Sequence, residues 1–168
     1  MATEGKNLSH YDEGDLPDAS KMMFGIVVSE WNRNITDNLK DGAYQTLINN
    51  GVKPENIEVK YVPGSFELSL GASLFLEFND EMDGIICLGS VIQGETRHFE
   101  FVCQAAAQGI KDVALKYNKP VIFGLLTDDT MQQAIDRSGG KHGNKGIECA
   151  IAAIKMVGVH DELKYGSH

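Results

Sequence analysis

The sequence is poor in the residues that build metal centres, disulfide frames and membrane anchors. Its 168 residues hold three cysteines. Cys87, Cys103 and Cys149 are an odd number, lie far apart and form no Cys-x-x-Cys pair, which argues against a disulfide framework and against zinc. Each sits in an apolar run, where cysteine behaves as a small buried hydrophobe. The five histidines form no His-Glu-x-x-His motif and no i,i+4 pair, so no metal site is expected. No apolar run reaches about 18 residues, the length of a membrane span. Met1 to Ser20 contains no apolar signal core. A reducing cytoplasm is the expected location.

Positive charge is also in short supply. Fifteen Lys plus Arg stand against 24 Asp plus Glu, for a net charge of −9. Nucleic acids and anionic membrane surfaces select clustered positive charge, so neither is an expected partner. A small anionic substrate needs only a local positive site and stays possible. With 42% apolar and 23% charged residues, the chain can bury the core of one folded domain.

Apolar strand-like runs alternate with helical periods. Met22 to Val28 is continuous, β-branched and reads as a strand buried on both faces. Ile35, Leu39, Ala43 and Leu47 mark an amphipathic helix that stops at Asn49-Asn50-Gly51. Ile57 to Val62 alternates, as a half-buried edge strand does. Phe66, Leu70, Leu74 and Phe78 recur at helical spacing. Gly84 to Gly89 reads as a second buried strand. Phe99, Val102, Cys103, Ala106, Ile110, Val113, Ala114 and Tyr117 give the clearest helix. Pro120 to Leu126 is a third buried strand. A short helix near Thr130 to Arg137 follows, then a longer one through Ile147, Ala150, Ile151, Ile154 and Val157. The order β-α-β-α-β-α-β-α-α predicts a three-layer α/β/α sandwich with a mostly parallel four-stranded sheet. The expected organisation is a flexible N-terminal arm over residues 1–20, one domain over 21–158 and a polar tail over 159–168.

Ligands in such sheets sit beyond the carboxyl ends of the strands, near the point where strand order reverses. The segments that follow strands therefore carry the functional signal. Trp31, the only tryptophan, follows the first strand; it is either packing filler or a flat apolar face for a planar ring. Pro63-Gly64-Ser65-Phe66-Glu67 follows the second. Ser65 can cap the next helix, and Glu67 can complement its dipole or face a polyol. Gly89-Ser90-Val91-Ile92-Gln93-Gly94-Glu95-Thr96-Arg97-His98-Phe99 follows the third. There Gly94 lets backbone approach a ligand closely, Thr96 can cap, and the helix start makes an anion site. His98 lies beside it and can move protons near neutral pH. Arg137 to Gly146 gathers an arginine and two lysines around four glycines. It is either a solvated loop or an anion site, but no Gly-Lys-Ser/Thr follows a strand, so it is not a P-loop. No GxGxxG follows the first strand, which excludes a dinucleotide fold.

Taken together, Glu30-Trp31-Asn32, Pro63 to Glu67, Gly89 to Phe99, Pro120 to Thr127, Arg137 and Gly143-Asn144-Lys145-Gly146 resemble the lumazine synthase family in order over about residues 22 to 158. The resemblance implies a flavodoxin-like sandwich. It implies a transferase at the penultimate step of riboflavin biosynthesis: 5-amino-6-ribitylaminouracil condenses with 3,4-dihydroxy-2-butanone 4-phosphate, releasing 6,7-dimethyl-8-ribityllumazine, phosphate and water. No metal or organic cofactor is implied. Trp31 stands where the family more often has Phe, and would stack on the pyrimidine. Ser65, Phe66 and Glu67 would bind the ribityl chain and ring edge, and Ser90, Val91 and Ile92 would line the pyrimidine pocket. Glu95 and Thr96 would offer amides to the phosphate, which Arg137 would fork, and His98 would shuttle protons. Phe123, Arg137 and Lys145 would come from a neighbouring subunit, so a homopentamer is the minimum assembly, with an icosahedral shell of pentamers as a larger form. The alternative is a flavin- or lumazine-storage assembly of the same fold without turnover.

Overall fold

The computed structural model describes residues 7, 9–12, 14 and 16–166. The remainder of the expected arm (1–6, 8, 13 and 15) and the last two residues lie outside the described residues. Four strands, β1 (Phe24–Ser29), β2 (Ile57–Val62), β3 (Gly84–Ile92) and β4 (Val121–Asp128), form one parallel sheet in the order β2-β1-β3-β4. Five helices cover it: α1 (Arg33–Asn49), α2 (Leu68–Phe78), α3 (His98–Tyr117), α4 (Met131–Arg137) and α5 (Lys145–Tyr165). Two very short strands, β5 (Ser138–Gly140) and β6 (Gly143–Asn144), pair antiparallel in the glycine-rich segment. The α/β sandwich with a four-stranded parallel sheet is the architecture that the alternation predicts.

All six residues of β1 are buried, because helices cover both faces of a parallel sheet. Phe24, Ile26, Val28, Ile86 and Leu88 pack with Leu39, Ala43, Ala150 and Ile154 on the α1/α5 side. Val27, Ile85, Cys87 and Leu125 pack with Leu68, Ala72, Phe75 and Ile110 on the α2/α3 side. β2 is only partly buried and lies at the sheet's edge, as its alternation predicts.

Several local expectations change. β3 runs past Gly89 to Ile92, because β4 continues to pair with it: Ser90 with Leu126, Val91 with Thr127, Ile92 with Asp128. Ser90 to Ile92 are therefore strand, not loop. The spacing of Phe66, Leu70, Leu74 and Phe78 is helical, with Phe66 in the 3-10 turn Ser65–Glu67 that leads into α2, but these side chains face outward; Phe78 is 81% exposed. Leu68, Ala72, Phe75 and Leu76 face the core instead. The helix is apolar on two sides, so periodicity could not choose between them. Residues 159–165, expected as a polar tail, are the last turns of α5. Of the expected arm, Ala19 is fully buried and Leu16 packs on the α1/α5 core. Asn50 Nδ2 donates to the Tyr11 hydroxyl at 3.2 Å, and the Asn144 amide donates to Ser9 Oγ at 3.1 Å.

Among the described residues no helix is long and apolar enough to cross a membrane. Burial pushes the Cys149 thiol up to about 12, and pushes Cys87 and Cys103 up as well. Thiols are nucleophilic only as thiolates, so Cys87 and Cys149 should resist iodoacetamide at neutral pH in the folded chain and react after denaturation; mass spectrometry of the alkylated protein checks this. α5 begins hard against α1: a methyl group on Gly146 would run into the Leu39 carbonyl. Backbone cannot yield there, so Gly146→Ala should destabilise by roughly 1–3 kcal/mol or more, read as a lower thermal midpoint.

Candidate active site

Strand order reverses between β1 and β3, since β1 leads outward to β2 while β3 leads to β4. A cleft of about 620 Å³ opens there, lined by Trp31, Asn32, Gly64 to Glu67, Ser90 to Ile92, His98 and Val102. Eight residues singled out in the sequence, Trp31, Ser65, Phe66, Glu67, Ser90, Val91, Ile92 and His98, thus meet in one place.

Each is delivered by a chain end that the fold fixes. The Glu30 amide donates to the Val62 carbonyl at 2.9 Å, and Thr36 Oγ1 donates to the Ser29 carbonyl at 2.8 Å, closing the turn from β1 into α1. Trp31 rides on that turn, 72% exposed. The indole Cδ1 and the Glu67 carboxylate approach the missing side chain of Gly64, at 3.4 and 3.1 Å from where its Cβ would stand. Glycine at 64 therefore brings an aromatic face and a carboxylate together. Ser65 and Ser90 are buried, and neither hydroxyl has a hydrogen-bond partner among the described residues. Ser65 does not cap a helix: no side-chain cap hydrogen bond is made at either start that follows it.

His98 is the first residue of α3 and is exposed. Its amide donates to Thr96 Oγ1 at 3.4 Å, but the cap position of α3 is Arg97 and no side chain caps it, so Thr96 is not the cap that the sequence suggests. Glu95 and Thr96 are exposed on the connecting loop and line neither of the two clefts described here. At Gly94 nothing lies within 4 Å of a would-be Cβ. Internal crowding therefore does not require glycine there.

Phe123, Arg137 and Lys145 are not brought to this cleft. They line a second one of about 590 Å³, with Leu125 to Asp128, Gln133, Asp136, Lys141 and His142. Arg137 Nε stands 3.8 Å from Asp128 Oδ1, and Lys145 pairs with Glu148. Asp128 is buried with its second oxygen unpartnered. Burial raises its carboxyl above the ordinary range, more than Arg137 lowers it. Asp128 and Asn32 are cleft-lining residues to which sequence reasoning gave no role. Asn32 has a signal, since asparagine after a strand tolerates the left-handed backbone it adopts here (φ 56°, ψ 48°). Asp128 has none in an acidic chain.

An open parallel sheet with a mixed aromatic and polar cleft over its strand-order reversal defines a flavodoxin-like α/β protein with a candidate small-molecule site at its carboxyl edge. The 6,7-dimethyl-8-ribityllumazine synthase family model matches residues 21–161. The chain is 58% identical to the 6,7-dimethyl-8-ribityllumazine synthase of Parabacteroides distasonis, over 94% of this chain and 98% of that protein. It is 53% identical to that of Christiangramia forsetii, over 98% of each, and 55% identical to that of Cytophaga hutchinsonii, over 94% of this chain and 98% of that protein. The chain belongs to the 6,7-dimethyl-8-ribityllumazine synthase family.

A carboxyl raised in the folded state binds its proton more tightly there than in the unfolded chain. Asp128 therefore supports the fold below the ordinary carboxylate range, and that support is lost as pH rises through its elevated value. Asp128→Asn should accordingly raise the thermal midpoint relative to the parent more at about pH 7 than at about pH 4. A variant most impaired at the higher pH would mean that the Arg137 pairing dominates.

Proposed function

We propose that the chain condenses 5-amino-6-ribitylaminouracil with 3,4-dihydroxy-2-butanone 4-phosphate to give 6,7-dimethyl-8-ribityllumazine, phosphate and water, as a transferase of riboflavin biosynthesis. The observation that carries this reading is the meeting of Trp31, Ser65 to Glu67, Ser90 to Ile92 and His98 on one cleft. Trp31 offers a face for the planar pyrimidine, and the strand end offers main-chain donors and acceptors for its edge. The unpartnered Ser65 hydroxyl, Phe66 and the Glu67 carboxylate suit a polyol chain beside that ring.

His98 shuttles protons. Dehydration of the carbinolamine, elimination of phosphate and ring closure each need a proton moved, and an imidazole at the cleft's rim can both give and take one. Such a group is worth about 10²–10⁴-fold. Holding two substrates in reacting geometry supplies up to ~7–11 kcal/mol more. Glu95 and Thr96 contribute amides at the phosphate, with the Glu95 side chain turned away. Arg137 forks the phosphate and neutralises it within an acidic chain.

The site is completed across a subunit boundary. Phe123, Arg137 and Lys145 lie in a different cleft of the same chain, and on this reading a second copy supplies them to the His98 cleft. The outward stripe of Phe66, Leu70, Leu74 and Phe78 supports an assembled state, because a lone soluble chain rarely leaves such a row in water. A homopentamer is the smallest assembly on this reading. The Arg137–Lys145 loop is short and glycine-rich, like that of family members that assemble pentamers into icosahedral shells, and supports the same larger form here.

Purified protein given both substrates should form fluorescent lumazine far faster than the spontaneous reaction, and light scattering should find no monomer. Binding of riboflavin with no rate above background would instead support a storage assembly. His98→Ala should lower turnover by one to a few powers of ten with the assembly intact. Arg137→Ala should raise the KM for the butanone phosphate roughly 10–100-fold and that for the pyrimidine far less; steady-state kinetics with each substrate varied in turn decides both.

A further inference from the structure

We propose that Asn32 is a positioning residue that staples the turn bearing Trp31 to β3 and thereby fixes which main-chain groups of β3 can read a planar heterocycle. The substrate part of this inference rests on the proposed function; the structural part does not.

The argument starts from the strand ends. Pairing of β1 with β3 stops at Val28 and Leu88, while β3 runs on to Ile92 against β4. Beyond Leu88 the edge of β3 that faced β1 has no strand beside it. Asn32 takes that place: its Nδ2 donates to the Ser90 carbonyl at 3.0 Å. To reach there the residue adopts a left-handed backbone, φ 56° and ψ 48°. Among the described residues the only other non-glycine with positive φ is Asn118, which ends α3. The Asn32 carbonyl meanwhile accepts from the amides of Ile35 at 2.8 Å and Thr36 at 3.0 Å. One residue thus starts α1, bends the chain and bridges the strand-order reversal. Glu30 ties the other side of Trp31 to β2 through the Val62 carbonyl. The indole is exposed, yet its backbone is held from both sides.

Main-chain groups alternate sides along a strand. Ile85 and Gln93 direct their amides toward β4, onto the carbonyls of Pro120 and Asp128. Ser90 and Ile92, in the other phase, direct theirs toward the gap beyond β1. Asn32 takes up the Ser90 carbonyl, so the Ile92 amide and carbonyl are the next pair along that edge. A planar ring presenting an N–H beside a C=O, as a uracil edge does, matches that pair. The Asn32 amide therefore sets how far along β3 the ring enters, and keeps Trp31 beside it.

The test compares the parent with Asn32→Gly, which keeps the left-handed backbone and removes the amide, and Asn32→Asp, which keeps the shape and turns a carboxylate oxygen toward the Ser90 carbonyl. Because Trp31 is the sole tryptophan, its fluorescence anisotropy reports on the turn without any ligand. Both variants should show lower Trp31 anisotropy, with Asn32→Asp the more affected. The KM for ribitylaminouracil should rise on the order of tenfold, while that for the butanone phosphate stays within about twofold. Parental anisotropy in both variants, or an equal rise in both KM values, would overturn the proposal. If the parent forms no lumazine, the functional reading fails by itself, and the anisotropy of the two variants then decides the staple alone.

Discussion

The unequal length of the two central strands is the constraint on which the rest of the site depends. β1 has six residues and β3 has nine. Backbone polar groups in a sheet need partners, so a central strand that outruns its neighbour must find a partner elsewhere or present its groups to a ligand. β4 takes the outer side of the overhang. On the inner side the Asn32 amide takes the Ser90 carbonyl, and the cleft occupies what lies beyond. Had β1 continued for three more residues, its own backbone would fill the space where Trp31 and the end of β3 face one another.

The same sheet separates the chemistry into two places. The cleft over the reversal is mostly apolar and holds an imidazole, while the cleft beside β4 gathers Arg137, Lys141, His142 and Lys145 around Asp128 and Asp136. In a chain of net charge −9 that gathering is local and needs its own support. All four side chains flank or belong to the β5–β6 segment, where positive φ at Gly139 and Gly143 folds the chain back on itself. The Gly143 turn is also where Ser9 of the N-terminal segment binds, through the neighbouring Asn144 amide. Asp128 supplies a buried countercharge for Arg137, and burial raises its carboxyl more than Arg137 lowers it.

What the sequence made legible follows from where one physical signal dominated. Phe24 to Val28 and Gly84 to Leu88 are continuous because both faces are covered, and their shortness and β-branched content mark them as strands. The segments after those strands could be picked out as site candidates because an open parallel sheet leaves its carboxyl edge uncovered. Where two signals competed, the reading went astray. α2 is apolar on both sides, so its period gave the helix but not its orientation. Ser65 has the composition of a cap, yet its hydroxyl is buried beside Gly89, 2.7 Å from the position of a missing Cβ. Asn32 stood within a recognised segment, but its function depends on a carbonyl 58 positions away, which no local pattern encodes.

Phe66 connects the two levels of organisation. It lines the first cleft and also begins the exposed stripe that continues through Leu70, Leu74 and Phe78. The stripe therefore runs out of the site along α2, without a polar break among those four positions. Any surface that covers α2 to remove these side chains from water must end at the rim of the cleft, next to Trp31 and Glu67. On the proposed assembly, burying the stripe and completing the site are one event: the apolar contact that holds a second copy in place also determines where that copy's Phe123 and Arg137 come to lie. On that proposal an isolated chain has an incomplete site and an exposed hydrophobic row for the same reason, and activity is acquired as α2 is buried.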